Sequence, residues 1–141
     1  MAHDLHSLIR LAKSRVDERQ RHLANLLRRS EDLEAHRVAL DHRLAQERLA
    51  ARSDPVLAGL AYGAFVCEAV ARRERLSGDI AVIEGRIYAA RDGLSSAYRE
   101  LCTLQTAQER RDRQRATAAA RAEQAALDEI GVNGHLRRAE G

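Results

Sequence analysis

The sequence predicts an all-α protein: two long helices in an antiparallel coiled-coil hairpin, with the C-terminal helix overhanging its partner. Apolar residues recur at a 3.5-residue spacing in two separate segments, and the only proline lies between them. The first segment begins almost as far before that proline as the second ends after it. The composition agrees: 32% of the residues are charged and only 3% are aromatic, which is typical of long helices and unlike a compact core.

The first helix is predicted from a seam of apolar residues that starts at Leu5. Steps of alternately four and three residues meet an apolar side chain at ten of fourteen positions, a repeat long enough to indicate a left-handed coiled coil. The first arm is therefore predicted over about residues 4–52. Its seam comprises Leu5, Ile9, Ala12, Val16, Arg19, Leu23, Leu26, Ser30, Leu33, Arg37, Leu40, Leu44, Glu47 and Ala51.

The second helix is predicted to begin at Asp54-Pro55, after a fold-back near residues 53–55. Aspartate caps helix N-termini, and proline is favoured at the first helical position because its missing N–H is not needed there. Twelve of the thirteen seam positions that follow are apolar. This second seam comprises Tyr62, Val66, Ala69, Arg73, Leu76, Ile80, Ile83, Ile87, Ala90, Leu94, Ala97, Leu101 and Leu104.

Folding the chain back at the proline aligns the two seams, so that Leu26, for example, meets Ile83. One layer is polar on both sides, because Arg37 and Arg73 fall at matching levels of the two helices. We expect each arginine to lay its apolar stem along the seam and to reach a nearby carboxylate, Glu34, Asp41 or Glu74.

Beyond Gln105 the second helix has no partner in the chain. Its next seam positions are polar, residues 109–115 are densely charged, and residues 117–126 are rich in alanine, which supports a helix without tertiary contacts. The second arm is predicted over about residues 56–130 and is followed, because of Gly131 and Gly134, by a flexible tail over 131–141. The whole chain, 1–141, is predicted to be a single coiled-coil domain.

Catalytic and metal-binding patterns are weak. His3 and His6 lie three residues apart without a third ligand at a fixed spacing, so no metal site is predicted. Cys67 and Cys102 each follow a seam position directly, which predicts a buried flank and not a nucleophile. There is no glycine-rich phosphate loop, and two paired helices offer no concave pocket. The chain is therefore predicted not to be an enzyme, to have no catalytic residues and to bind no cofactor.

The most apolar stretch, residues 60–66, contains two of the four aromatic residues at the fold-back end. Tyr62 and Phe65 either close the end of the hairpin seam or form an aromatic patch that anchors a partner.

The whole chain resembles the FliJ family of flagellar export proteins and its relatives in virulence type III secretion, in length, topology and residue pattern. Five features carry the resemblance: the start at Leu5, Leu8, Ile9, Ala12 and Lys13; Glu47-Arg48; Ala61-Tyr62-Gly63-Ala64-Phe65; Asp128-Glu129-Ile130; and the basic tail at Arg137-Arg138. A nearly lysine-free composition and several glycines in the second arm depart from that pattern.

The resemblance implies a cytoplasmic stalk or adaptor, peripheral to the inner-membrane export apparatus. Its helix ends would insert into a hexameric export ATPase, and its flank would contact the export-gate membrane protein and substrate chaperones. We expect the ATPase to be bound through Leu5, Leu8, Arg110, Arg111, Arg113 and Arg115, and the gate or a chaperone through Tyr62 and Phe65.

Three other functions fit parts of the sequence. A generic coiled-coil scaffold, not tied to an ATPase, would show the same seams. A nucleic-acid binder would use the arginines of residues 110–115, but Glu109 and Asp112 interrupt them, so no nucleic acid is expected. The apolar stripe is narrow and already used inside the hairpin, and no apolar run is long enough to span a bilayer, so no direct membrane insertion is expected.

Overall fold

The structure is a computed structural model that describes residues 2–141, and the side-chain surroundings of all of these except 2–4, 57, 58 and 60. Two helices make up the described chain: α1, Ala2–Ser53, and α2, Pro55–Glu140. The described residues contain no strand, and the two helices pack against each other. The predicted all-α hairpin is confirmed, with Asp54 as the one non-helical residue between the helices.

Every buried residue that the structure describes lies on one of the two predicted seams. Heptad spacing places these residues on one stripe of each helix, and apposition of the stripes removes them from water. In α1 they are Leu5, Ala12, Val16, Leu26 and Leu40; in α2 they are Ala69, Ile80, Ile83, Ile87, Ala90, Ala97 and Leu101.

Contacts divide the chain into two units. One unit comprises residues 15–97, and the other comprises residues 1–14 together with 98–141. In the first unit Leu26 forms a cluster with Ile83, Ile87 and Ala90, and Leu33 packs against its edge. The predicted meeting of Leu26 and Ile83 is thus confirmed. In the second unit the start of α1 packs on α2, where Leu5, Ala12 and Leu101 are buried.

The two arginines of the polar seam layer, Arg37 and Arg73, each form an ion pair with a carboxylate, as predicted. The Arg37 guanidinium lies 2.7 Å from a Glu34 carboxylate oxygen on the same helix. The Arg73 Nε lies 3.3 Å from Asp41 Oδ1, which joins α2 to α1. Both pairs are part-exposed, so each arginine keeps its charged head near water. Part-exposed pairs of this kind add little stability.

The C-terminal end of α2 corrects the sequence prediction. Helix does not end near residue 130 but continues to Glu140, through the segment expected to form a tail. A glycine that ends a helix adopts a positive φ, and no described glycine does so. Gly131 and Gly134 each weaken the helix by only about 1 kcal/mol relative to alanine. Arg137 and Arg138 in the last turn offset this in part by facing the negative end of the helix dipole.

Candidate functional site

The candidate site is the part of α2 that has no partner helix, residues 109–140, hereafter the extension. Every residue from 109 to 133 is exposed, a length of about 37 Å at ~1.5 Å per residue. Hydrogen bonds between residues one helical turn apart stabilise the beginning of the extension. The Gln108 side-chain amide donates to Asp112 at 2.9 Å, and the Thr117 hydroxyl donates to the Arg113 carbonyl at 2.9 Å.

Four arginines form a belt at the beginning of the extension. Arg110, Arg111, Arg113 and Arg115 are all exposed, as a partner-binding role requires. At ~100° per residue they point to three sides of the helix, and Glu109 and Asp112 occupy the remaining side. Arg113 approaches Glu109 only at 4.0 Å, a solvent-exposed contact that leaves the guanidinium accessible to a partner.

Past the belt the extension is covered mainly by small and apolar side chains. Four large apolar residues are exposed there: Leu127, Ile130, Val132 and Leu136. Leu127 and Ile130 lie on one side of the helix, whereas Val132 and Leu136 lie on the opposite side. None of the four was among the predicted site residues. Val132 and Leu136 were missed because the two glycines around them suggested that the helix had already ended.

Two leucines at the beginning of α1, which were predicted to bind the same partner, differ in their exposure to solvent. Leu5 is 8% exposed and packs inside the hairpin, so its side chain is not available to a partner without unfolding. Leu8 is 47% exposed, and Leu11 beside it is 49% exposed. Leu11 was not among the predicted site residues. The accessible apolar pair in this region is therefore Leu8 and Leu11.

The aromatic residues of the fold-back end are half-buried and belong to the hairpin itself. The Arg43 guanidinium of α1 lies over the Phe65 ring of α2, 5.2 Å from the ring centre, in a cation–π contact. Tyr62 lines an open groove of about 400 Å³ with Leu44 and Val66. Phe65 thus contacts α1 through Arg43, whereas Tyr62 borders the groove. Leu60, in the same apolar stretch, lies outside the residues whose side chains the structure describes.

The cysteines and histidines form no reactive cluster in the described part of the chain. Cys67 and Cys102 are free and exposed, which corrects the expectation that both are buried beside the seam. Among the side chains that the structure describes, which do not include His3, no group of three metal-ligating residues comes together. Neither α1 nor α2, as far as they are described, is apolar enough over a sufficient length to cross a bilayer.

Fold and site together define a class of protein: an α-helical hairpin whose second helix presents an exposed C-terminal extension. The model of the family described as "Flagellar FliJ protein" matches residues 1–140. The chain therefore belongs to the FliJ family, as its residue pattern suggested, and this membership implies a role related to flagellar protein export. No curated protein and no solved structure matches the chain.

Proposed function

We propose that the chain is a non-enzymatic stalk or adaptor of the flagellar type III protein export apparatus, whose extension binds inside the hexameric export ATPase. It acts in the cytoplasm, peripheral to the inner-membrane export apparatus, as a single coiled-coil domain. The observation that carries the proposal is the exposure of every residue from 109 to 133 in a helix that continues to Glu140. A helix of that length without a partner in its own chain is suited to being held by another protein.

The distribution of apolar groups supports a partner that surrounds the extension. Apolar side chains on a single stripe fit one docking helix, whereas apolar side chains on several sides fit a channel. Leu127 and Leu136 lie on opposite sides of the helix, and alanines fill much of the surface between residues 116 and 126. Small side chains also keep the helix narrow enough to enter a ring.

The arginine belt supports the same partner at the mouth of the ring. Positive charges on three sides of the helix can meet carboxylates on more than one subunit. Exposed charges of this kind guide association and orientation more than they add affinity. Binding through Arg110, Arg111, Arg113 and Arg115 is therefore expected to weaken as the salt concentration rises.

Two further surfaces are proposed for the other partners. Leu8 and Leu11 would extend the ATPase contact to the start of α1, in place of the buried Leu5. Tyr62 and Phe65 would bind the export-gate membrane protein or a substrate chaperone through the groove that Tyr62 borders.

The test of the ATPase contact is the steady-state rate of ATP hydrolysis by the hexamer as a function of added protein. We compare the natural chain with a variant that has serine at all four belt positions, 110, 111, 113 and 115. The variant should stimulate hydrolysis much less, and the difference should shrink at high salt. Its hairpin should remain folded because the belt is exposed.

A matched control removes the same charge elsewhere: Arg21, Arg28, Arg29 and Arg48 of α1, all exposed, are replaced by serine. This control should stimulate like the natural chain. Full stimulation by the belt variant, or equal loss in belt and control variants, would refute the ATPase contact and favour a generic coiled-coil scaffold. A binding assay of the Tyr62→Ala/Phe65→Ala variant with the gate protein and with a chaperone tests the second surface separately.

A further inference from the structure

The heptad of α2 resumes in the extension after a polar interruption. Continued from Leu101 and Leu104, the same steps cross Gln108, Arg111 and Arg115 and then return to apolar side chains. These later positions, hereafter the extension seam, are Ala118, Ala122, Ala125, Glu129, Val132, Leu136 and Ala139. All seven are exposed and only one is charged. The extension seam therefore lies on the same heptad positions as the residues of α2 that face α1 in the hairpin, but no helix covers it.

We propose that the extension seam pairs with the extension seam of a second copy of this chain, in antiparallel direction. The proposal rests on the heptad and the charges of the extension, and it does not depend on the export function proposed above.

Parallel pairing is disfavoured by the charged seam positions. In a parallel, in-register pair every seam residue faces its own counterpart. Arg111, Arg115 and Glu129 would then each face a like charge inside the interface, which is destabilising. Antiparallel pairing separates these like charges, because each position then faces one from the other end of the seam.

In an antiparallel pair the seam residues of the two helices interleave only if one helix is shifted along the other by whole heptads. One such shift is compatible with the rest of the protein. With Ala122 opposite Ala125 of the second copy, Arg111 lies opposite Leu136 and Ala118 lies opposite Glu129. The second copy then ends near Gln108, just short of the part of α2 that α1 already covers at Leu101. If the second copy were shifted by one heptad towards α1, its end would collide with the part of α2 that α1 covers. A shift in the other direction would bring the two Asp128 side chains together.

Charge complementarity at the flanks selects the same offset. The side chains that flank the seam pair across an antiparallel interface. In this register Arg121 lies opposite Asp128 of the second copy, and symmetry repeats the pair. No flanking position faces a like charge. Within one chain the two residues are one heptad apart, about 10 Å, too far to pair with each other.

The hairpin itself shows how an interface of this kind holds a charged residue on its seam. There, Arg73 extends from the seam of α2 to Asp41 of α1, at 3.3 Å. In the proposed dimer, Arg115 lies one turn from Glu129 of the second copy and can reach it in the same way. Because alanine seams bury little apolar area, the dimer is weak and forms at high protein concentration.

Sedimentation equilibrium of the full chain, from about 10 µM to about 1 mM, measures the association. Arg121→Asp and Asp128→Arg should each weaken it about tenfold, because each change turns two opposite-charge pairs into two like-charge pairs. The double variant Arg121→Asp/Asp128→Arg restores opposite charges and should return the dissociation constant to within about twofold of the natural chain. Arg110→Asp, which changes the charge equally on the outer face of the helix, should have little effect.

A mixed disulfide tests the register independently. In a chain whose native cysteines are replaced by serine, Ala122→Cys and Ala125→Cys chains mixed in equal amounts should form the mixed disulfide in excess of either homodisulfide. Restored dimerisation by the charge swap together with the mixed disulfide supports the antiparallel dimer. A monomer over the whole concentration range, single variants without effect, or a double variant as weak as the single ones would overturn it.

Discussion

Replacing Leu26 by alanine should destabilise the hairpin by about 2–3 kcal/mol. Leu26 is 7% exposed and forms a cluster with Ile83, Ile87 and Ala90. The substitution removes three carbon groups, each worth about 0.8 kcal/mol of burial, and leaves a small cavity. The cost lies at the low end of the range for leucine-to-alanine changes, because two helices leave their interface open to water on both flanks.

Thermal unfolding followed by far-UV circular dichroism measures this loss, which corresponds to about 5–10 °C in Tm. The matched control is Leu127→Ala in the extension, where the side chain is 56% exposed. The control should change Tm by less than about 1 °C, because little burial is lost and alanine is the better helix former. Equal losses in the two variants would mean that the extension packs as tightly as the hairpin, contrary to the exposure of its residues.

Two further predictions concern the antiparallel pairing and the end of α2. A cysteine pair at positions 26 and 83, in a chain without its native cysteines, should crosslink within one chain on mild oxidation; crosslinks between chains instead would refute the fold-back. Gly131→Ala/Gly134→Ala should raise the helix content and slow amide exchange over residues 128–140, because no φ is positive there and a new methyl group meets nothing closer than Arg138 Nη2 at 3.9 Å. Lower helix content in this variant would show that α2 ends before Gly131.

The extension is the segment that both proposed interactions use, the contact with the export ATPase and the antiparallel dimer. A ring that encloses the extension and a second copy that covers its seam would use the same alanines, so the two complexes exclude each other. The Arg121 and Asp128 variants separate them. Each single variant should weaken the antiparallel dimer and the double variant should restore it, a pattern that the contact with the ATPase does not predict.

The sequence by itself determined the two seams and the point at which the chain turns. Heptad spacing is a local property, and it selects the same helix stripe whatever the partner. For this reason the described buried residues, from Leu5 to Leu101, all fall on positions predicted from spacing alone. The ion pairs of Arg37 and Arg73 were predictable in the same way, because carboxylates lie within one turn or directly across the hairpin.

The tertiary structure alone decided which residues near the seams are covered. Two helices shield only the stripe between them, so Cys67 and Cys102, one position past it, face water. The C-terminal end of α2 was also undecided by the sequence. Gly131 is compatible with a helix end, where its φ is positive, or with a helix interior, and spacing and composition do not reveal which φ it adopts.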